Sequence, residues 1–201
     1  MNYNAIRRST PEVRIGKLAI GGKNPIAVQS MTNTDTHDVG ATIDQIKALA
    51  SAGCDIVRIT VPDLKAAETI LAIKEQGITT PIVADIHFDY KVAIRCAKFG
   101  VDKIRINPGN IGDDDRVKAV VDACKGKNIP IRIGVNSGSL EKHILAKYGG
   151  PTPEALCESA LYHAALLEKF DYANIVISIK ASTVPDMIVA NRLLAQKCPY
   201  P

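Results

Sequence analysis

Apolar positions along this chain alternate between two patterns: short runs rich in Ile and Val, then longer stretches with apolar residues at helical spacing. The runs predict strands at Ile26–Met31, Asp55–Val61, Pro81–Ile86, Lys103–Ile106, Ile129–Val135 and Ile175–Ile179. The stretches between them predict helices at Ala41–Ala52, Asp63–Gln76, Asp89–Phe99, Asp113–Lys127, Pro153–Phe170 and Thr183–Lys197. Gly53, Gly77 and Gly100 stand just past three of these helices, where a left-handed stop is expected. Within the second helix Leu64, Ala67, Ile70 and Leu71 fall on one face, and within the fourth Val117, Val120, Val121 and Cys124 do. A weaker alternation from Val13 to Ile20 predicts a small hairpin within an N-terminal extension, residues 1–25. The segment 136–152 reads as a longer insert between a strand and the next helix.

The strands carry polar residues where a buried parallel strand would have none. Side chains two apart on a strand share a face. Arg105 and Asn107 therefore pair, as do Arg58 and Thr60, Asp85 and His87, and Ser178 and Lys180, while Arg132, Gly134 and Asn136 form a three-residue row of the same kind. Near their C-terminal ends, separate strands thus turn Arg58, Arg105, Arg132 and Lys180 to one side. A single such arginine would be an ordinary solvated edge residue. Recurrence on successive strands predicts a site.

Six strand–helix units in strict alternation imply right-handed crossovers and a parallel sheet. An open doubly wound sheet wants nearly unbroken apolar strands, and its nucleotide-binding form wants G-x-G-x-x-G after the first strand. A (β/α)8 barrel instead gathers the strand ends around one axis, where inward polar groups converge. The expected fold is α/β of the (β/α)8 TIM-barrel type, occupying residues 26–201 and stopping after six units.

With 201 residues, 46% of them hydrophobic, the chain can bury a substantial core. A net charge of +4 with 4% aromatic residues argues against nucleic-acid binding. No apolar run approaches a membrane span and the N-terminus has no signal-peptide core, so a cytoplasmic location is expected. The five cysteines are widely spaced, without Cys-x-x-Cys, and are expected to be reduced and mostly buried rather than metal ligands.

Like charges crowded into a low-dielectric mouth are tolerable when an anion of comparable charge fills it, and guanidinium forks match phosphate oxygens. The four cations therefore predict a diphosphate. Two strand-end loops, residues 107–112 and 136–139, offer backbone N–H groups to it. Asp85 and His87 can orient a hydroxyl, move a proton or neutralise the arginines, and Asp85 has Arg132 as one candidate ion-pair partner. His37, His143 and His163 are expected in surface or helix-packing roles. No nucleophile–base arrangement is legible, so catalytic residues stay unassigned and binding is better explained than chemistry.

Six blocks carry a resemblance in chain order: Gln29-Ser-Met-Thr-Asn-Thr-Asp-Thr36, Val57-Arg-Ile-Thr-Val-Pro62, Ala84-Asp-Ile-His-Phe88, Arg105-Ile-Asn-Pro-Gly-Asn-Ile-Gly112, Ile131-Arg-Ile-Gly-Val-Asn-Ser-Gly-Ser-Leu-Glu141 and Ser178-Ile-Lys-Ala-Ser182. Together they resemble the 4-hydroxy-3-methylbut-2-en-1-yl diphosphate synthase family. The resemblance implies an oxidoreductase of non-mevalonate isoprenoid biosynthesis that reductively opens and dehydrates 2-C-methyl-D-erythritol 2,4-cyclodiphosphate, with electrons from flavodoxin or ferredoxin. It implies that Arg58, Arg105, Arg132, Lys180 and Asn136 hold the diphosphate; Asn107, His87, Asp85 and Gln29 complete the expected substrate set. It further implies a homodimer and a [4Fe-4S] cluster on a separate C-terminal domain, whose ligands this chain's cysteines do not match. On that basis the chain alone is expected to bind substrate with little turnover. The rival expectations are a pteroate-synthase-like diphosphate-binding transferase and an inactive scaffold whose arginines make internal salt bridges.

Overall fold

The computed structural model describes residues 7–201, so the first six residues of the expected N-terminal extension lie outside the described residues. Two antiparallel strands, β1 (Glu12–Ile15) and β2 (Leu18–Gly21), form the expected hairpin, with Val13 opposite Ile20. Six parallel strands follow in one sheet, in chain order: β3 (Gln29–Met31), β4 (Ile56–Thr60), β5 (Ile82–Asp85), β6 (Lys103–Ile106), β7 (Ile131–Asn136) and β8 (Ile175–Lys180). Sequential order with every neighbour parallel is the topology of successive right-handed β/α units.

Each crossover contains a helix: α1 (Val39–Ser51), α2 (Glu68–Glu75), α3 (Tyr90–Lys98), the single-turn α4 (Pro108–Ile111) followed by α5 (Asp114–Lys125), and α6 (Lys142–Tyr148) followed by α7 (Pro153–Lys169); α8 (Val184–Lys197) follows β8. Side chains fix several starts. Asp38, Asp89, Asp113, Thr152 and Thr183 each accept a hydrogen bond from a first-turn N–H, satisfying a donor the helix cannot.

Two apolar clusters divide the fold. The larger fills the layer between sheet and helices, where the outward strand residues Ile59, Ile82, Ile104, Ile106, Ile131 and Ile133 meet helix residues such as Ile70 and Val120. The smaller closes the lower end of the sheet's concave side: Ile15 of the hairpin packs on Ile56 and Val83, with Leu18, Ile20 and Ala27 against them. The hairpin is therefore a floor beneath the inward side chains. Arg8 ties the N-terminal segment to the last residues by donating to the carbonyl oxygens of Cys198 and Tyr200.

Two expectations need correction. The first strand is confined to Gln29–Met31, and Ile26 and Val28 are exposed, because β3 pairs on one side only and its beginning has no cover. In α2 the residues before Glu68 form turns rather than regular helix, so the buried face runs through Ala66, Ala67, Ile70 and Ile73 and leaves Leu64 and Leu71 exposed. The insert 136–152 holds a 3-10 turn at Ser137–Ser139 and α6. By contrast Val117, Val120, Val121 and Cys124 are all fully buried, as their spacing predicts.

Candidate functional site

The concave side of the sheet opens into a cavity of about 380 Å³ at the C-terminal ends of the strands. Its lining brings together eight of the nine sequence-selected residues: Arg58, Asp85, His87, Arg105, Asn107, Arg132, Asn136 and Lys180. Gln29 is elsewhere. It begins β3 opposite Ile56, below the level of Arg58, and borders a second, lower cavity.

Asp85 is the electrostatic centre, with its side chain 2% exposed. Its Oδ1 accepts from Arg105 Nη1 at 2.9 Å, its Oδ2 lies 3.4 Å from Arg58 Nε, and His87 Nε2 stands 4.0 Å from the same oxygen. The Arg58 contact is an ion pair without a hydrogen bond, leaving that buried N–H unmatched. The expected Asp85–Arg132 option gives way to these pairs. Arg132 does stand directly opposite Arg105 in the β6–β7 register, although it comes earlier in its own strand, because the strands are staggered. Burial, reinforced by the charges of Arg58 and Arg105 and only partly offset by Asp85, brings Arg132 down to about 10.

One carboxylate thus faces a surplus of cations. The arithmetic is sharper than the sequence suggested, because Lys103, two residues before Arg105 and on the same inward face, is also buried. The period-two rule that selected Arg105 would have found it.

Gly134 explains how Arg105 reaches Asp85. A Cβ built at Gly134 would overlap the Arg105 guanidinium, which lies across that backbone. Gly134→Ala is therefore expected to fold with Arg105 displaced, weakening binding of inorganic pyrophosphate by about 1.5–3 kcal/mol through lost charge-assisted hydrogen bonds. Calorimetry on Gly134→Ala, Arg105→Ala and the double variant checks this. The two losses should overlap rather than add.

The strand-end loops are tied to each other more tightly than expected. Asn107 Oδ1 accepts from Gly109 N–H at 3.1 Å and its Nδ2 donates to Ser139 Oγ at 3.0 Å; Asn136 Oδ1 accepts from Gly138 N–H at 3.4 Å. Some backbone donors expected to meet phosphate are thus already satisfied. Beneath Gly109 lies a pair invisible to sequence reasoning: His163 Nε2 and Glu141 Oε1, 2.5 Å apart, from residues 22 positions separated in the chain. Burial pushes the Glu141 carboxyl up, but the His163 hydrogen bond and charge outweigh it and hold the group at about 2. A carboxyl held below its ordinary value contributes stability that is complete above the unfolded value, 4.5, and is lost as pH falls toward 2. The stability gap between wild type and Glu141→Gln in urea unfolding should therefore narrow between those two pH values. A constant gap would contradict the assignment.

The cysteines do not fit an iron–sulfur cluster. Cys96, Cys124, Cys157 and Cys198 are buried and all five are free thiols, burial pushes the Cys96 and Cys124 thiols up to about 12, and no group of three or more potential metal ligands occurs among the described residues. No helix among the described residues is long and apolar enough to cross a membrane.

A family profile described as the GcpE TIM-barrel domain matches residues 10–201. Proteins named 4-hydroxy-3-methylbut-2-en-1-yl diphosphate synthase (flavodoxin) are 58% identical over 195 residues in Ruminiclostridium cellulolyticum and 59% over 196 residues in Caldanaerobacter subterraneus. These matches cover 97% and 98% of this chain but 55% of each relative, so the chain spans about half the length of the curated relatives it matches. Among solved structures, dihydropteroate synthases from Xanthomonas albilineans (TM-score 0.65, 16% identity, 96% of this chain and 75% of that one) and Yersinia pestis (0.63, 12%, 94% and 71%) share the fold.

Proposed function

Since the chain belongs to the GcpE TIM-barrel family and is similar to 4-hydroxy-3-methylbut-2-en-1-yl diphosphate synthases, we propose that it is the substrate-holding part of such an enzyme. Its ligand is then 2-C-methyl-D-erythritol 2,4-cyclodiphosphate. The whole protein opens that ring reductively and loses water, taking up electrons supplied by flavodoxin and protons from solvent, and works as a cytoplasmic homodimer.

The observation that carries this reading is the charge balance of the cavity. Arg58, Arg105, Arg132 and Lys180 arrive from four strands, and the one carboxylate among them, Asp85, is already shared by two arginines. A scaffold held by internal salt bridges has no use for the remaining cations, whereas a diphosphate uses all of them. In this reading Arg132 and Lys180 meet phosphate oxygens directly, Asp85 keeps Arg58 and Arg105 aimed into the cavity, and Asn107, Asn136 and His87 contact the ring or its phosphates. Gln29 contributes to the substrate set only through the lower cavity.

The chemistry supplied by these residues is binding, orientation and charge neutralisation. Electron transfer belongs to a cluster held by residues other than the described ones, so the chain alone binds without turnover. Calorimetric titration separates the readings: the cyclodiphosphate should bind saturably and a pterin diphosphate should not. The reverse preference would install the pteroate-synthase reading, and no binding of either would leave the scaffold.

A further inference from the structure

Below the mouth lies a second cavity of about 320 Å³, bordered by Arg7, Gln29, Ile56, Lys103, Arg132 and Val176 among others. Arg132 borders both cavities. Lys103 is 3% exposed, yet among the described residues it has neither an ion-pair partner nor a hydrogen-bond acceptor. An unpaired buried ammonium is costly, and the group can shed that cost by releasing its proton.

We propose that Lys103 is a proton-linked member of the anion site, taking up a proton as a diphosphate settles on the arginines above it. This rests on the diphosphate reading and adds to it how the site's charge adjusts to its ligand. Burial, then the charges of Arg132 and Arg58, bring Lys103 down to about 7. The groups facing this interior are Arg58 from β4, Asp85 from β5, Arg105 from its own strand, Arg132 from β7, and Arg7 from the N-terminal segment, with the neutral Gln29 from β3. Val176 and Ile177 of β8 add none. The single carboxylate has both oxygens turned to Arg58 and Arg105, so it is not available to Lys103. A bound diphosphate offsets the repulsion from Arg132 and Arg58, and the amine regains its proton.

The sign follows from linkage. Below about pH 7 Lys103 is already charged in the free chain, so binding takes up no proton there. Above it, binding takes up to one proton, and affinity falls by up to about tenfold per pH unit until the bound-state value is passed. Inorganic pyrophosphate titrates too, but identically against every variant. The test is calorimetry of pyrophosphate binding to the chain from about pH 6 to 9, in buffers of different ionisation enthalpy, with wild type, Lys103→Met and Lys103→Arg. At about pH 8 the wild type should take up close to one more proton per pyrophosphate than either variant, and its affinity advantage over Lys103→Met should shrink about tenfold or more between pH 6 and pH 9. Equal proton uptake in all three, or a constant advantage, would overturn the proposal.

Lysine side-chain NMR supplies a readout that needs no variant to bind, using Lys103→Met only to assign the signal. The Lys103 resonance should titrate near 7 in the free chain and well above that with pyrophosphate. Titration in the ordinary lysine range without ligand would refute the proposal directly. A midpoint near 7 together with no pyrophosphate binding at any pH would instead overturn the diphosphate reading, and the linkage with it.

Discussion

Asp85→Asn should lower the stability of the free chain by about 2–4 kcal/mol, and at the same time raise its affinity for pyrophosphate about three- to thirtyfold. Asp85 is buried between Arg58 and Arg105, the Arg105 contact being 2.9 Å. Removing its charge leaves two guanidiniums facing Arg132 and Lys103 with no countercharge. Breaking a fully buried pair costs about 3–5 kcal/mol; the lower figure used here reflects guanidiniums that are partly in solvent. The same change removes the one negative charge that competes with an incoming anion, while the asparagine oxygen can still accept from Arg105 and hold it in place. Urea unfolding with and without pyrophosphate checks both halves, because the ligand should restore more stability to the variant than to the wild type. A variant as stable as wild type, or one that binds more weakly, would show that Asp85 is not the counterweight to these cations.

Arg132→Met should move both quantities the other way. The guanidinium is half-buried, has no carboxylate within 4 Å among the described residues, and is brought down to about 10 by burial and by Arg58 and Arg105. A cation whose folded-state value lies below its unfolded one destabilises the fold wherever it is charged, which includes neutral pH. An unbranched apolar side chain of similar length should thus leave stability unchanged or raise it by up to about 2 kcal/mol. Pyrophosphate affinity should fall about 10- to 150-fold, the equivalent of about 1.5–3 kcal/mol for a lost hydrogen-bonded charge. Loss of stability without loss of affinity would assign Arg132 to the scaffold.

These opposite effects depend on a placement that was only partly legible in the sequence. The alternation of strand and helix was plain, because period-two and helical spacing are local properties and Gly53, Gly77 and Gly100 punctuate them with positive φ angles. The inward face was equally plain, since residues two apart on a strand must share a side; Arg58, Arg105, Arg132 and Lys180 were found that way and all line one cavity. Pairing within that face was not. Which arginine reaches Asp85 depends on stagger between strands, which sets Arg132 level with Arg105, and on Gly134, whose missing Cβ lets the Arg105 side chain cross β7. Leu64 is exposed because the chain before Glu68 forms turns rather than regular helix, and the buried face of α2, through Ile70 and Ile73, leaves Leu71 outside it. The Glu141–His163 pair joins an insert to α7 and leaves no periodic trace. Lys103 stands at the first position of a strand, where a lysine usually reaches back to solvent, but here it is buried beside a cavity that hairpin residues and Ile56 of β4 also line.

The claim on which all of this stands is that basic side chains from separate strands serve one anion. A crystal structure of the chain with 2-C-methyl-D-erythritol 2,4-cyclodiphosphate tests it most directly. The account predicts both phosphates in the cavity at the strand ends, within hydrogen-bond distance of Arg58, Arg105, Arg132 and Lys180, with Asp85 still paired to Arg105. A bound ligand touching none of these cations, or seated on the outer face among the helices, would contradict it.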